Sequence, residues 1–184
     1  MALSGGIKRY ILTPMSDYLI RPNPDDPRLT AKVTGIDQDG NKTETSVTVE
    51  RPVTLYLNGQ EIVTLMTVGD YLDCLAVGYL INQNMLLADD KITAIDYDEE
   101  VETIVVRTER KTDFEQKLQK KTRTSGCALG TVFGDLMEKF DEVSLNTDAV
   151  VKTSWIYALA KTINTTPSLY LQAGAIHGCV LCQA

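Results

Sequence analysis

A basic excess is missing from this chain: 18 lysines and arginines stand against 25 aspartates and glutamates, for a net charge of −7 over 184 residues. That argues against a nucleic-acid binder, which concentrates positive charge on one face. No stretch approaches the roughly 18 uninterrupted apolar residues of a membrane span, so no membrane partner is expected. The opening "MALSGGIKRYILTPMSDYL" lacks the long apolar core of a secretory signal. Without one, the four cysteines read as reduced thiols of a cytoplasmic protein and not as disulfide staples. Internal repeats and low-complexity tracts are absent as well. What is there is ordinary for a globular chain, 43% apolar and 23% charged, and long enough for one large domain or two small ones.

Along the chain, "RPNPDDPRL" reads as an extended arm or linker. Two β-rich stretches follow, each broken by a turn signal. Asp39-Gly40 interrupts "AKVTGIDQDGNKTETSVTVE", and Asn58-Gly59 interrupts "VTLYLNGQEIVTLM", so each predicts a hairpin. From Asp70, a plausible N-cap, the period becomes helical, with Leu72, Leu75, Ala76, Tyr79 and Leu80 recurring on one face. Gly78 in mid-helix suggests that another backbone packs closely there. Cys74 beside this stripe reads as a buried structural thiol. "KITAIDY" and "ETIVVRT" predict two more strands around the turn "DEEV". Residues 113–124 read as a basic helix, "TVFGDLMEKF" and "TDAVVKTSWIYALAKTIN" as further helices, and "PSLYLQAGAIHGCVLCQA" as strand, turn and strand. The fold class expected is mixed α/β, in two lobes. Residues 1–110 form a β-rich α+β lobe with one central helix, and 111–184 form a second α/β lobe.

The chemistry centres on "RTSGCALGTVFGD". Cys127 lies between Gly126 and Gly130, after Lys117, Lys120, Lys121 and Arg123. Nearby cations and a helix start favour the thiolate, the form that attacks sulfur, and the glycines free the loop to meet two partners. Read alone, Cys127 is either that nucleophile or a buried thiol beside a helix start. His177, Cys179 and Cys182 could join Cys127 in a zinc set. If "GCVLCQ" is a strand, however, Cys179 and Cys182 point to opposite faces, so no metal is expected. The His-x-Glu of a deaminase is absent, because Gly178 and Cys179 follow His177. A thioredoxin-like pair would need to open a helix.

Glu50, Asn58, Gly59, Leu75, Ala76, Gly78, Tyr79 and Leu80 resemble the N-terminal region of the formate dehydrogenase accessory sulfurtransferases, the FdhD/NarQ family. Thr124, Ser125, Gly126 and Cys127 look like that family's Thr-Ser-Ser-Cys-x-x-Cys-Gly loop. Ala173, Gly174, Ala175, Ile176, His177, Gly178 and Cys179 look like its Thr-Gly-Gly-x-His-x-Ala segment. Gly130 replaces the second loop cysteine, Asn82, Gln83 and Asn84 replace an acidic-glycine pair, and the chain stops at Ala184, before the family's Asp-Val-Gly-Arg-His-Asn segment. It therefore reads as a member lacking its C-terminal part.

The resemblance implies a sulfur relay. A cysteine desulfurase would load Cys127 as a persulfide, and the sulfur would pass to the molybdenum of a bis-guanylyl molybdopterin, the molybdenum cofactor, for formate dehydrogenase. It further implies a cytidine-deaminase-like second lobe, cofactor binding by Gly174 and His177, and a homodimer. The alternative is a non-catalytic module that binds the cofactor or docks onto the dehydrogenase.

Overall fold

The computed structural model describes residues 8–10, 23–87, 89–110, 121–123, 131–133, 144 and 146–178. The chain divides into two compact units, one of residues 1–18 with 51–143 and one of residues 19–50 with 144–184. The first unit thus runs through residue 110, where composition suggests a lobe boundary.

In the first unit, a five-stranded sheet has the order β1-β6-β7-β4-β5. Its strands are β1 (Lys8–Tyr10), β4 (Arg51–Leu57), β5 (Gln60–Thr67), β6 (Ile92–Asp98) and β7 (Thr103–Thr108). The hairpins β4–β5 and β6–β7 form as the turn signals predict, and β4 lies parallel to β7 from Thr54↔Thr103 to Leu57↔Val106. β1 is a strand that the pattern-poor N-terminus does not announce; it pairs antiparallel with β6. Alternation then sorts the side chains. Val53, Leu55 and Leu57 of β4, Ile95 and Tyr97 of β6, and Ile104 and Val106 of β7 are buried in one core.

Helix α1 (Leu72–Asn82) contributes Leu72, Ala76 and Leu80 to the same core. Full burial of a leucine is worth about 1.5–3 kcal/mol, so Leu72 and Leu80 are substantial contributors. Tyr71, not Asp70, stands at the N-cap, in a left-handed conformation with φ 46°, while Asp70 Oδ1 accepts the Tyr71 N–H at 3.0 Å. The helix ends in a Schellman motif: the Met85 N–H reaches the Leu80 carbonyl at 2.8 Å and the Asn84 N–H reaches that of Ile81 at 2.9 Å. Asn84 takes the positive φ (53°) that such an ending requires, so asparagine does here what glycine does in most such caps.

The first unit also contains β8 (Lys121–Arg123) and β9 (Thr131–Phe133), paired antiparallel from Lys121↔Phe133 to Arg123↔Thr131. Helices read from residues 113–124 and 131–140 are therefore corrected to strands at these positions. Thr122, Thr131, Val132 and Phe133 are β-formers, and inter-strand pairing overrides a weak helical periodicity.

In the second unit, β2 (Thr30–Ile36) and β3 (Lys42–Thr48) form the hairpin expected at Asp39-Gly40, with Gly40 at φ 84°. Asp37 Oδ1 accepts the N–H groups of both Asp39 and Asn41 at 2.9 Å. Helix α2 (Thr153–Thr165) starts later than the sequence suggests. Its apolar residues Trp155, Ile156, Leu159 and Ile163 are exposed, and none of its residues is buried. The strand expected at "PSLYLQA" is instead the short helix α3 (Leu169–Ala173). Alternating Leu169 and Leu171 mimic a strand, but Ser168 caps a helical turn, its Oγ accepting the Leu171 N–H at 3.4 Å, and Leu169 alone of the helix is buried.

Gly78 within α1 and Gly69 before it differ in kind. Around Gly78 nothing among the described residues lies within 4 Å of an added Cβ, so they do not supply the close backbone contact expected there. At Gly69, with φ 79°, an added Cβ would lie 2.7 Å from Arg51 Nε. Gly78→Ala should therefore stabilise the protein by about 0.5–1 kcal/mol through helix propensity alone. Gly69→Ala should destabilise it, at least by the roughly 1–2 kcal/mol of a left-handed residue with a Cβ. Urea unfolding of the two variants checks both signs.

Candidate functional site

Cys127, Cys179 and Cys182 lie outside the described residues, as do Lys117 and Lys120. The backbone on either side of Cys127 is nevertheless defined. Residues 124–130 join Arg123 to Thr131, the final pair of the β8–β9 ladder. The segment that carries the thiol is thus the connection of an antiparallel hairpin, whose paired ends fix its two points of attachment.

Cys74 offers a contrast. It is half-buried on α1, and burial first, then the neighbouring Asp73 carboxylate, pushes its thiol above the ordinary range. A thiol that resists ionisation is a poor nucleophile at neutral pH. The sequence reads Cys74 as a buried structural thiol; the structure leaves it only half-buried.

Gly174 and His177 belong to the second unit. Gly174 caps α3 with φ 63° and ψ −164°, and its N–H donates to the Tyr170 carbonyl at 2.9 Å. Ala175 follows at φ 51°, so two successive residues take positive φ where the chain turns toward His177. His177 is exposed. This turn is local and built by α3, and it presents the imidazole on a surface. Among the described residues, no group of three or more His, Cys, Asp or Glu side chains could hold a metal ion, and no helix is long and apolar enough to cross a membrane.

Two polar clusters in the first unit escaped the sequence reading. In the first, Arg51 Nη1 reaches Glu102 Oε1 at 3.3 Å, and Tyr97 donates its hydroxyl to Glu102 Oε2. Burial, then that carboxylate, raises the Tyr97 phenol far above its usual range. Arg51 Nε is buried against Gly69 and has no hydrogen-bond partner among the described residues.

The second cluster surrounds the exit from β7. Asn58 (φ 55°) accepts the Thr108 N–H on Oδ1 at 2.9 Å and donates from Nδ2 to Thr108 Oγ1 at 3.1 Å. Arg110 grips Asp90 through Nε at 2.5 Å and Nη2 at 2.6 Å. The only sequence signal here is Asn58-Gly59, which reports the turn; the partners lie far along the chain, where no spacing rule reaches.

The sequence profile of the FdhD/NarQ family matches residues 48–184. This mixed α/β chain, with its cysteine on a hairpin connection and its glycine turn before a histidine, belongs to the FdhD/NarQ family. Among curated proteins it is 27% identical over 149 residues to the sulfur carrier protein FdhD of Listeria monocytogenes, covering 77% of this chain and 55% of that one. It is 26% identical over 137 residues to the protein of the same name in Shouchella clausii, covering 72% and 51%. The chain spans about half the length of the curated relatives it matches. A solved structure described as a candidate formate dehydrogenase accessory protein, from Desulfotalea psychrophila, is 22% identical and covers 43% of this chain and 36% of that one. Its TM-score of 0.38 is too low to carry an argument.

Two measurements follow from the electrostatics. In a variant with Cys74 as its sole thiol, the rate of iodoacetamide alkylation should reach half its plateau only above the ordinary thiol midpoint of about pH 8.5. Asp90 is held down to about 2, first by the Arg110 side chain and then by the Leu87 N–H. Its folded value lies below the unfolded value of about 3.9, so its contribution is complete above that pH and is lost as pH falls toward 2. The stability gap between the protein and Asp90→Asn should accordingly be widest near neutrality and close in acid, as read by urea unfolding across pH.

Proposed function

We propose that this chain is a sulfur carrier in formate dehydrogenase maturation, with Cys127 as the residue that holds the sulfur. A cysteine desulfurase presents a persulfide. The Cys127 thiolate attacks its outer sulfur, a new S–S bond forms at Cys127 Sγ, the donor's S–S bond breaks, and the donor leaves as a thiolate. The loaded sulfur is destined for the molybdenum of a bis-guanylyl molybdopterin, which is cargo and not a resident cofactor. The observation that carries this reading is the antiparallel closure of β8 on β9 around the segment bearing Cys127, within a match to a family whose curated relatives are called sulfur carrier proteins. The raised thiol of Cys74 supports the same choice by removing a competitor.

Within this proposal, the exposed His177 and the Gly174 turn line the cofactor's approach, and the protein works in the cytoplasm as a homodimer. A single thiol suffices to carry a persulfide, so Gly130 in place of a second loop cysteine changes the route of release and not the loading. Incubation with a cysteine desulfurase and 35S-labelled L-cysteine tests the reading. Label released by reductant should sit on the peptide containing Cys127 and disappear in Cys127→Ala. Label retained in Cys127→Ala would refute it.

A further inference from the structure

The Asn58-Gly59 pair sets the β4–β5 turn, and it is also a place where the chain can react with itself. Glycine has no Cβ to shield its nitrogen, so the Gly59 nitrogen is free to add to the side-chain carbonyl carbon of Asn58. A C–N bond then forms, the Cγ–Nδ2 bond breaks and ammonia leaves. Water opens the resulting succinimide to aspartate or isoaspartate. Such thermolability is one reason that heat-stable proteins carry few asparagines. The sequence holds the Asn-Gly pair once, and the structure leaves Gly59 exposed and Asn58 half-buried.

The atoms around Asn58 oppose that reaction. Ammonia leaves only after Nδ2 has gained a proton, yet Nδ2 is committed as a donor to Thr108 Oγ1 at 3.1 Å and to the Arg110 carbonyl at 3.4 Å. Thr108 Oγ1 gives its own proton to the same carbonyl at 2.8 Å, so neither partner has one to offer the leaving nitrogen. The Thr108 N–H on Oδ1, at 2.9 Å, would by itself stabilise the oxyanion of addition. The lock therefore lies on Nδ2. Its acceptors are held in turn, because Arg110 forks onto Asp90 through Nε at 2.5 Å and Nη2 at 2.6 Å. Asn58, Thr108, Arg110 and Asp90 thus form one anchor at the end of β7. An amide fastened at both Oδ1 and Nδ2 has little freedom to find the aligned contact that ring closure needs.

We propose that Asn58 is a latent deamidation site locked by this anchor, reacting when the end of β7 opens and not while it is closed. The modification is one-way. The carboxylate that replaces the amide is acceptor-only and has no hydrogen for the Arg110 carbonyl. Isoaspartate also adds a backbone atom to the two-residue turn between the paired Leu57 and Gln60. An opening that goes on to reaction therefore leaves the anchor unfastened.

The test holds the full chain in mildly alkaline buffer at physiological temperature and follows the peptide containing Asn58 by mass for conversion of amide to acid. The folded protein should react about tenfold or more slowly than the same chain in denaturing urea, because several hydrogen bonds must open first. Thr108→Val removes the hydroxyl and keeps the N–H on Oδ1. It should react about two- to tenfold faster than the unsubstituted protein, the worth of one hydrogen bond, while Thr108→Ser keeps the slow rate. Equal rates in the folded and unfolded chains would overturn the inference, as would a folded Thr108→Val as slow as the unsubstituted protein. Should Thr108→Val fail to fold, urea below the unfolding transition of the unsubstituted protein decides. A rate that climbs there supports local opening of the anchor, and one that climbs only with global unfolding overturns it.

Discussion

The parallel pairing of β4 with β7 is the contact on which the first unit depends. Parallel neighbours cannot be joined by a tight turn, and here β5, α1 and β6 all lie between them in sequence. Each partner brings its own hairpin, so this single ladder joins β5 on one side to β6 and β1 on the other. A left-handed residue closes the ladder at each end through its backbone. Glu102, at φ 48°, offers its carbonyl to the Thr54 N–H at 2.9 Å, and its carboxylate ties down Arg51 and Tyr97. Asn58, at φ 55°, ends it on the Val106 carbonyl. Two left-handed residues, each with a polar side chain that repays the conformation with hydrogen bonds, therefore frame the centre of the sheet.

Helix α1 makes that arrangement a core. Its sequence is apolar on almost every side, so the pattern alone does not say which face turns inward. The sheet decides by accepting Leu72, Ala76 and Leu80 and leaving Ile81 exposed. The Asn84 ending matters because Met85, fully buried, and Leu86 must re-enter the core at once. The chain then passes Asp90, whose pair with Arg110 ties this return to the exit of β7.

The second unit rests on less. Leu29 and Leu169 are its buried apolar side chains among the described residues, and α3 lies against β3. Gln172 Nε2 donates to Asp25 Oδ1 at 2.8 Å, which ties α3 to the proline-rich stretch before β2. The glycine turn and His177 follow directly from α3, so their local geometry depends on a helix of five residues.

The sequence by itself determined the elements whose causes are local. Asp39-Gly40 and Asn58-Gly59 set two hairpins, the alternation in "ITAIDYD" and "TIVVRT" set a third, and the leucine spacing set α1. The family motifs around Cys127 and His177 were readable for the same reason, since they are short and contiguous. Tertiary structure alone decided the rest. Lys121–Arg123 and Thr131–Phe133 became strands because each found the other, and β1 became one because β6 offered an open edge. "LYLQA" became a helix because a cap and one buried leucine outweighed its alternation. Among the described residues Gly78 met no neighbour, while Gly69 met Arg51 from a strand 18 positions earlier. The Asn58–Thr108–Arg110–Asp90 anchor follows the same logic, because hydrogen-bond geometry between residues about 50 positions apart exists only once the sheet has brought them together.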